Sequence, residues 1–307
     1  MHAYLVMVHK NINQVKKLLE LLDYYDNDIY IHVDRKAKKE IVECDFSVVC
    51  RHSKVYQYSE IDVYWGNVSQ IKCELFLLEQ AKEHKQYQYY HLISGMDLPL
   101  KTQKEIHQFF DLNSGKEFVN FSGEEKTAGL YIEDRVRYYW ATRWYGILRI
   151  KYSQAIMRRL DLISVKLQKL LGVNRLDKEK RLYHGANWFS ITDDLVSELL
   201  RDKNLIFKQY KASNCADEVF IQTFIMENAK FWENLYIPKI NNGFRAILRN
   251  IDWKRGAPYT WHKEDFGELV NSDFLFARKF DENVDSEIID MIYDYIVGGS
   301  ENDKNER

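Results

Sequence analysis

The sequence predicts an α/β fold, a single Rossmann-like domain with a mostly parallel or mixed central sheet flanked by helices. Two observations support it. Short apolar runs alternate with helix-period segments through the first half of the chain. No repeat, spacer or low-complexity stretch divides the 307 residues, which include only 13 Gly and 3 Pro. Alternation of this kind builds βα units and a parallel sheet, and a chain of this length can bury one large core.

The elements follow in order. Residues 4–8, 29–33 and 89–94 read as strands, each a run of apolar or aromatic residues bounded by polar ones. Between the first two, residues 13–24 form a helix, with Val15, Leu18, Leu19 and Leu22 on one face and Lys16, Lys17 and Glu20 on the other. A second helix is expected over 68–83. Thr102-Gln103-Lys104-Glu105 is a capping box that starts another, and 117–121 reads as a strand. Further on, the pattern predicts a helix over 153–171, a strand over 188–191, a helix capped by Thr192 and one opening near Ala216. The last strand is placed at 246–251 and a closing helix at 284–297. Residues 1–298 are assigned to the domain and 299–307 to a disordered tail.

Composition excludes several classes. The formal net charge of −2 gives no global basic field to hold nucleic acid by counterion release. Cys44, Cys50, Cys73 and Cys215 show no paired metal-ligand spacing and read as buried thiols. No apolar run approaches the ~20 residues a membrane span requires, and residues 2–8 are too short for a signal-peptide core. The expected location is the cytoplasm, free or peripheral at the inner face of the membrane. Between 131 and 152, Arg135, Arg137, Tyr138, Tyr139, Trp140, Arg143, Trp144, Tyr145 and Arg149 interleave rings with cations. This is a solvated aromatic segment packed on the core, a groove for a saccharide, whose faces stack on rings, or, least in keeping with the net charge, a nucleic-acid surface.

In open α/β sheets, ligands bind beyond the carboxyl ends of strands. His9, Asp34 and Asp97 each follow a predicted strand, so they are expected to converge on one crevice. Later in the chain, Leu275-Phe276-Ala277-Arg278-Lys279-Phe280-Asp281 frames two adjacent cations with apolar and aromatic residues. Taken alone, such a pair is ordinary surface charge or an anion site. Asp217 and Glu218 open a helix, where carboxylates complement the helix dipole or supply a base. Asp26-Asn27-Asp28 matches the metal-holding Asp-x-Asp string, but it precedes its strand and reads as a turn at the opposite end.

Four segments in order, Leu92-Ile93-Ser94-Gly95-Met96-Asp97-Leu98-Pro99, His184-Gly185-Ala186-Asn187-Trp188-Phe189, Ala216-Asp217-Glu218-Val219-Phe220 and the stretch from Ile251-Asp252-Trp253 through Phe280, resemble the core-2/I-branching β-1,6-N-acetylglucosaminyltransferase and peptide O-xylosyltransferase family. The resemblance runs from about Tyr4 to Asp281 and suggests a soluble bacterial member with a GT-A-type fold. It implies an inverting glycosyltransferase moving N-acetylglucosamine, xylose or a related sugar from a UDP-sugar to a saccharide or lipid-linked glycan. No metal or other cofactor is implied. About 1–125 would bind the nucleotide sugar and about 126–298 would handle acceptor and catalysis.

The same resemblance implies the site. Glu218 is the catalytic base and Asp217 a cap beside it. Lys279, with Arg278, neutralises the diphosphate, and Lys263 is a candidate second cation. Val8, His9, Asp34 and Trp65 contact the nucleotide. Gly95 allows close backbone approach, Asp97 reaches the donor sugar or diphosphate, and Trp188 bounds the sugar pocket. Arg135, Asp252 and Trp253 lie on the acceptor side. Competing readings are a carboxylate hydrolase using Asp97, Asp217 and Glu218, and a non-catalytic saccharide-binding protein on the same fold.

Overall fold

The computed structural model describes residues 1–124, 126–127, 130–141, 153–177 and 179–305. Arg143, Trp144, Tyr145 and Arg149 of the aromatic-basic segment lie outside the described residues. The elements that build the site are, in chain order, β1 (His2–Val8), α1 (Ile12–Leu22), β2 (Asn27–Val33), β3 (Lys54–Tyr58), α2 (Ser69–His84), β4 (Tyr89–Ser94), β5 (Asp97–Pro99), α3 (Gln103–Leu112) and β6 (Phe118–Val119). There follow α4 (Asp134–Arg137), α5 (Ser153–Leu170), β7 (Phe189–Thr192), α6 (Asp193–Arg201), α7 (Phe220–Met226), β8 (Arg249–Ile251), β9 (Phe276–Arg278) and α8 (Glu287–Asn305).

The main sheet has the order β3-β2-β1-β4-β7-β6. Its first four strands are parallel, and β7 is antiparallel to both neighbours. The mixed sheet flanked by helices is the fold class the sequence predicts. In β1, Ala3 and Leu5 enter one core layer while Tyr4, Val6 and Val8 enter the other, because successive side chains of a strand point to opposite faces. One layer packs against Ile71, Leu75 and Leu78 of α2, and the other against Val15, Leu18, Leu19 and Leu22 of α1. Each fully buried aliphatic side chain contributes roughly 1.5–3 kcal/mol. The Thr102 capping box is present, with reciprocal bonds between Thr102 and Glu105.

From β1 the chain moves outward to β2 and β3, then returns to place β4 on the other side of β1. Beyond the carboxyl ends of β1 and β4 the sheet therefore has a topological switch point, where such folds open a crevice.

Several expectations need correction. Residues 244–247 form a 3-10 turn, so the strand expected from 246 begins only at Arg249. The final strand is β9, which pairs in parallel with β8 and antiparallel with β5 in a second sheet. Three-residue strands are too short to show a period. Ala216–Glu218 is likewise a 3-10 turn, with the α-helix starting at Phe220. The tail placed at 299–307 is helical as far as Asn305. All four cysteines are free, but only Cys73 and Cys215 are buried; Cys44 and Cys50 are half-buried.

Candidate active site

At the switch point lies a cavity of about 1330 Å³. Val8 and His9 at the end of β1, Asp34 after β2, and Ser94 at the end of β4 line its floor. The Asp34 amide donates to the Val8 carbonyl at 2.7 Å, tying the two strand ends together. The Asp34 carboxylate accepts from the Val63 amide at 3.2 Å and pairs with the Lys36 ammonium. This fixes the loop that presents Trp65, which also lines the cavity and is 71% exposed.

Glu218 also lines the cavity. Arg135 Nη1 donates to Glu218 Oε2 at 2.7 Å. The arginine is almost wholly buried while the carboxylate side chain is 41% exposed. One oxygen is thus held by a fixed cation and the group still faces the cavity. Arg135 is not among the lining residues, so the acceptor-side role expected for it gives way to a contact with Glu218.

Asp217 is not an exposed cap. It is 5% exposed, accepts from Gln70 Nε2 at 2.9 Å through one oxygen, and has no hydrogen-bond partner at the other. Burial, and then the neighbouring Glu218 charge, push its carboxyl up to about 7. His184 also lines the cavity, but burial and then Arg135 hold it down to about 4.

The His184-Gly185-Ala186-Asn187-Trp188 segment is stitched to its neighbours through the backbone. Gly185 donates to the Glu218 carbonyl at 3.0 Å, and Ala186 donates to Asn120 Oδ1 at 2.9 Å. A Cβ on Gly185 would sit 1.9 Å from the Asn120 carbonyl oxygen, so only glycine fits this approach. Trp188 at the end of the segment lines the cavity, and the Arg278 guanidinium stacks over it, 4.1 Å from the ring centroid.

Arg278, not Lys279, reaches the cavity. Pairing of β9 with β5 sets Arg278 opposite Asp97, and Arg278 Nη1 lies 3.4 Å from Asp97 Oδ1. Lys279 follows the strand, is half-buried, and is not among the lining residues. Arg249, fully buried behind Trp188, was not anticipated; its guanidinium donates to the Leu92 carbonyl at 2.5 Å. Burial lowers it to about 10, while Asp97 favours its charge. Two cations therefore share one carboxylate, which leaves this wall net positive.

Four other sequence assignments move. Asp97 is fully buried, accepts from the Ser94 amide at 2.6 Å and pairs with Arg278, so it positions that cation instead of reaching into the cavity. Gly95 serves packing: a Cβ there would lie 2.9 Å from Val15 Cγ2 and 3.2 Å from Val8 Cγ2. Asp252 accepts from the Lys254 and Arg255 amides and pairs with the Arg255 side chain, whereas Trp253 lines the cavity. Lys263 is bound to Glu287 at 2.8 Å, away from the lining. Asp26-Asn27-Asp28 lies at the far end of the sheet, where Asn27 pairs with His2 and Tyr87 donates to Asp28 at 2.6 Å.

Residues 2–275 match the model of the Core-2/I-Branching enzyme. The match covers most of the chain and stops just before Arg278. Xylosyltransferase 2 of Rattus norvegicus is 22% identical over 96% of this chain but only 34% of its own length. A beta-1,3-galactosyl-O-glycosyl-glycoprotein beta-1,6-N-acetylglucosaminyltransferase of Bos taurus is 22% identical over 92% of this chain and 66% of its own. For the N-acetyllactosaminide beta-1,6-N-acetylglucosaminyl-transferase of Homo sapiens the figures are 24%, 92% and 68%. The chain thus spans about a third of the length of the xylosyltransferases it matches. Mouse xyloside xylosyltransferase 1 overlaps the fold only loosely, at a TM-score of 0.37 and 10% identity over 90% of this chain and 97% of that one. The chain belongs to the Core-2/I-branching enzyme family.

Proposed function

We propose that this chain transfers N-acetylglucosamine, xylose or a related sugar from a UDP-sugar to a hydroxyl of a saccharide acceptor, with inversion and without a metal. The observation that best supports the reading is the division of one cavity between a positive wall, Arg278 backed by Arg249, and a carboxylate wall at Glu218. Base and ribose would lie over Val8, His9, Asp34 and Trp65 in the first 125 residues, with the diphosphate toward Arg278.

In this scheme Glu218 takes the acceptor hydroxyl proton as the acceptor oxygen bonds to the anomeric carbon. The bond from that carbon to the phosphate oxygen breaks on the other face, and UDP leaves with the electron pair. Arg278 stabilises the charge that develops on the diphosphate. Arg135 keeps Glu218 in one orientation while leaving its exposed side to the acceptor. Attack opposite the departing group gives a β-linkage from an α-linked donor. Trp253, part of the lining, would contact the acceptor, which is a saccharide or lipid-linked glycan in surface polysaccharide or glycan biosynthesis.

UDP release from a panel of UDP-sugars, measured in excess chelator with mono- and disaccharide acceptors, tests the reading. Acceptor-dependent release in chelator is expected. Activity that appears only after Mn²⁺ is restored would overturn the metal-free scheme, and no release with any donor would overturn the transfer reading.

A further inference from the structure

Helix α5 has a pattern that the cavity does not use. Ile156, Leu160, Ile163, Leu167 and Leu170 recur at alternating steps of four and three residues, and each is more than half exposed. Leu171 extends the stripe at 78% exposure. The other side of the helix is anchored: Asp161 and Val165 are each 2% exposed. Gln168 accepts from the Tyr139 amide at 2.8 Å and donates to its carbonyl at 2.9 Å. Lys169 pairs with Asp134 at 2.7 Å. The body thus holds one face of an 18-residue helix, about 27 Å long, and leaves an apolar seam outside.

The charges beside the seam select its partner. Arg158, Arg159, Lys166 and Lys169 are the cations of α5, and its single acid, Asp161, is buried. Arg159 and Lys166 are exposed alongside the stripe. Such cations in a chain of net charge −2 are a local feature. Pairing with a second copy would set cations against cations, since α5 offers no exposed acid for the flanking positions of a coiled coil. An anionic lipid surface complements both features, because an amphipathic helix buries its apolar face at the headgroup boundary while Lys and Arg meet the surface charge.

We infer that α5 is a membrane-docking helix that lies flat on an anionic bilayer. The Lys169–Asp134 pair joins it to α4, whose next residue, Arg135, holds Glu218. Docking would therefore set the carboxylate wall of the cavity near the lipid surface. The inference goes beyond the sugar-transfer reading and does not depend on it.

Co-sedimentation of the full chain with vesicles of equimolar phosphatidylglycerol and phosphatidylcholine tests it without any measurement of activity. Retention is expected to exceed that on pure phosphatidylcholine by at least about tenfold and to fall as salt rises. Leu160→Glu combined with Leu167→Glu should lower retention about tenfold or more with an unchanged circular dichroism spectrum. Arg159→Glu with Lys166→Glu should remove the preference for anionic vesicles. Equal retention on both vesicle types, or full retention by the leucine variant, would overturn the inference. So would a dimer, seen by light scattering, that the leucine variant converts to monomer, because the stripe would then belong to a second copy. If the leucine variant misfolds, the salt and lipid dependence of the unaltered chain still decides the matter.

Discussion

Arg135 holds one oxygen of Glu218 at 2.7 Å from a position almost wholly shielded from water. A cation placed this way fixes the carboxylate without covering it. Preorganised groups of this kind need no rearrangement as the reaction proceeds. The contact links α4 to the turn before α7, across 83 residues of sequence.

Replacing Glu218 with Gln should cut transfer by at least ~10² while leaving UDP affinity within about twofold. Glutamine keeps the size and the bond from Arg135 but cannot accept the acceptor proton at neutral pH. Steady-state rates with isothermal titration of UDP separate the two quantities. Near-full turnover in Glu218→Gln would remove Glu218 as the base.

Arg135→Met should lower kcat about tenfold or more with little change in donor affinity, and Arg135→Lys should restore part of the loss. Glu218, being partly exposed, can be solvated when its partner goes, so the fold should persist. A loss confined to donor affinity would instead put Arg135 on the donor side.

Arg278→Ala should weaken UDP roughly ten- to a hundredfold and uridine far less, because the lost contact is charge-assisted and concerns the diphosphate. Lys279→Ala should have the smaller effect of the two, since its side chain is not among those lining the cavity. Thermal melting provides the control, as Asp97 loses a partner in Arg278→Ala. Equal losses for UDP and uridine would place Arg278 elsewhere, and a larger effect at Lys279 would restore it as the main ligand.

Gly185→Ala should destabilise the protein by at least about 2 kcal/mol, since the new methyl group must displace the Asn120 backbone. Urea unfolding reads the difference. An unchanged midpoint would mean that the two segments can separate at little cost.

The pH dependence of stability should report Asp217. Its native carboxyl is pushed up to about 7, against about 3.9 in an unfolded chain. The native state therefore holds the proton more tightly. That contribution is complete below the unfolded value and is lost as pH rises toward 7. Melting of Asp217→Asn should gain on the wild type between about pH 4 and about pH 7 and level off above that. A constant difference across that range would show that Asp217 does not titrate within it.

The first half of the chain was largely legible because its signals are local. Val15, Leu18, Leu19 and Leu22 mark one face of α1, the strand runs mark β1, β2 and β4, and Thr102 with Glu105 marks the start of α3. The site was legible where strand ends define it: of the three polar residues expected at one crevice, His9 and Asp34 line the cavity, while Asp97 does not. It was less legible where function depends on pairing between short, distant segments. Asp97 and Gly95 share a motif with cavity residues, yet one anchors Arg278 and the other packs against Val15.

The sequence by itself determined the α/β alternation, the crevice beyond the strand ends and the family, because hydrophobic period and ordered motifs are properties of neighbouring residues. Only the tertiary structure decided which of Arg278 and Lys279 faces the cavity, that Arg249 lies behind it, that Arg135 grips Glu218, and that Asp217 is buried. Those outcomes depend on strand register between β5 and β9 and on packing between segments far apart in the chain. A register shift of one residue sends a side chain to the opposite face, and no local pattern in three-residue strands specifies which face that is.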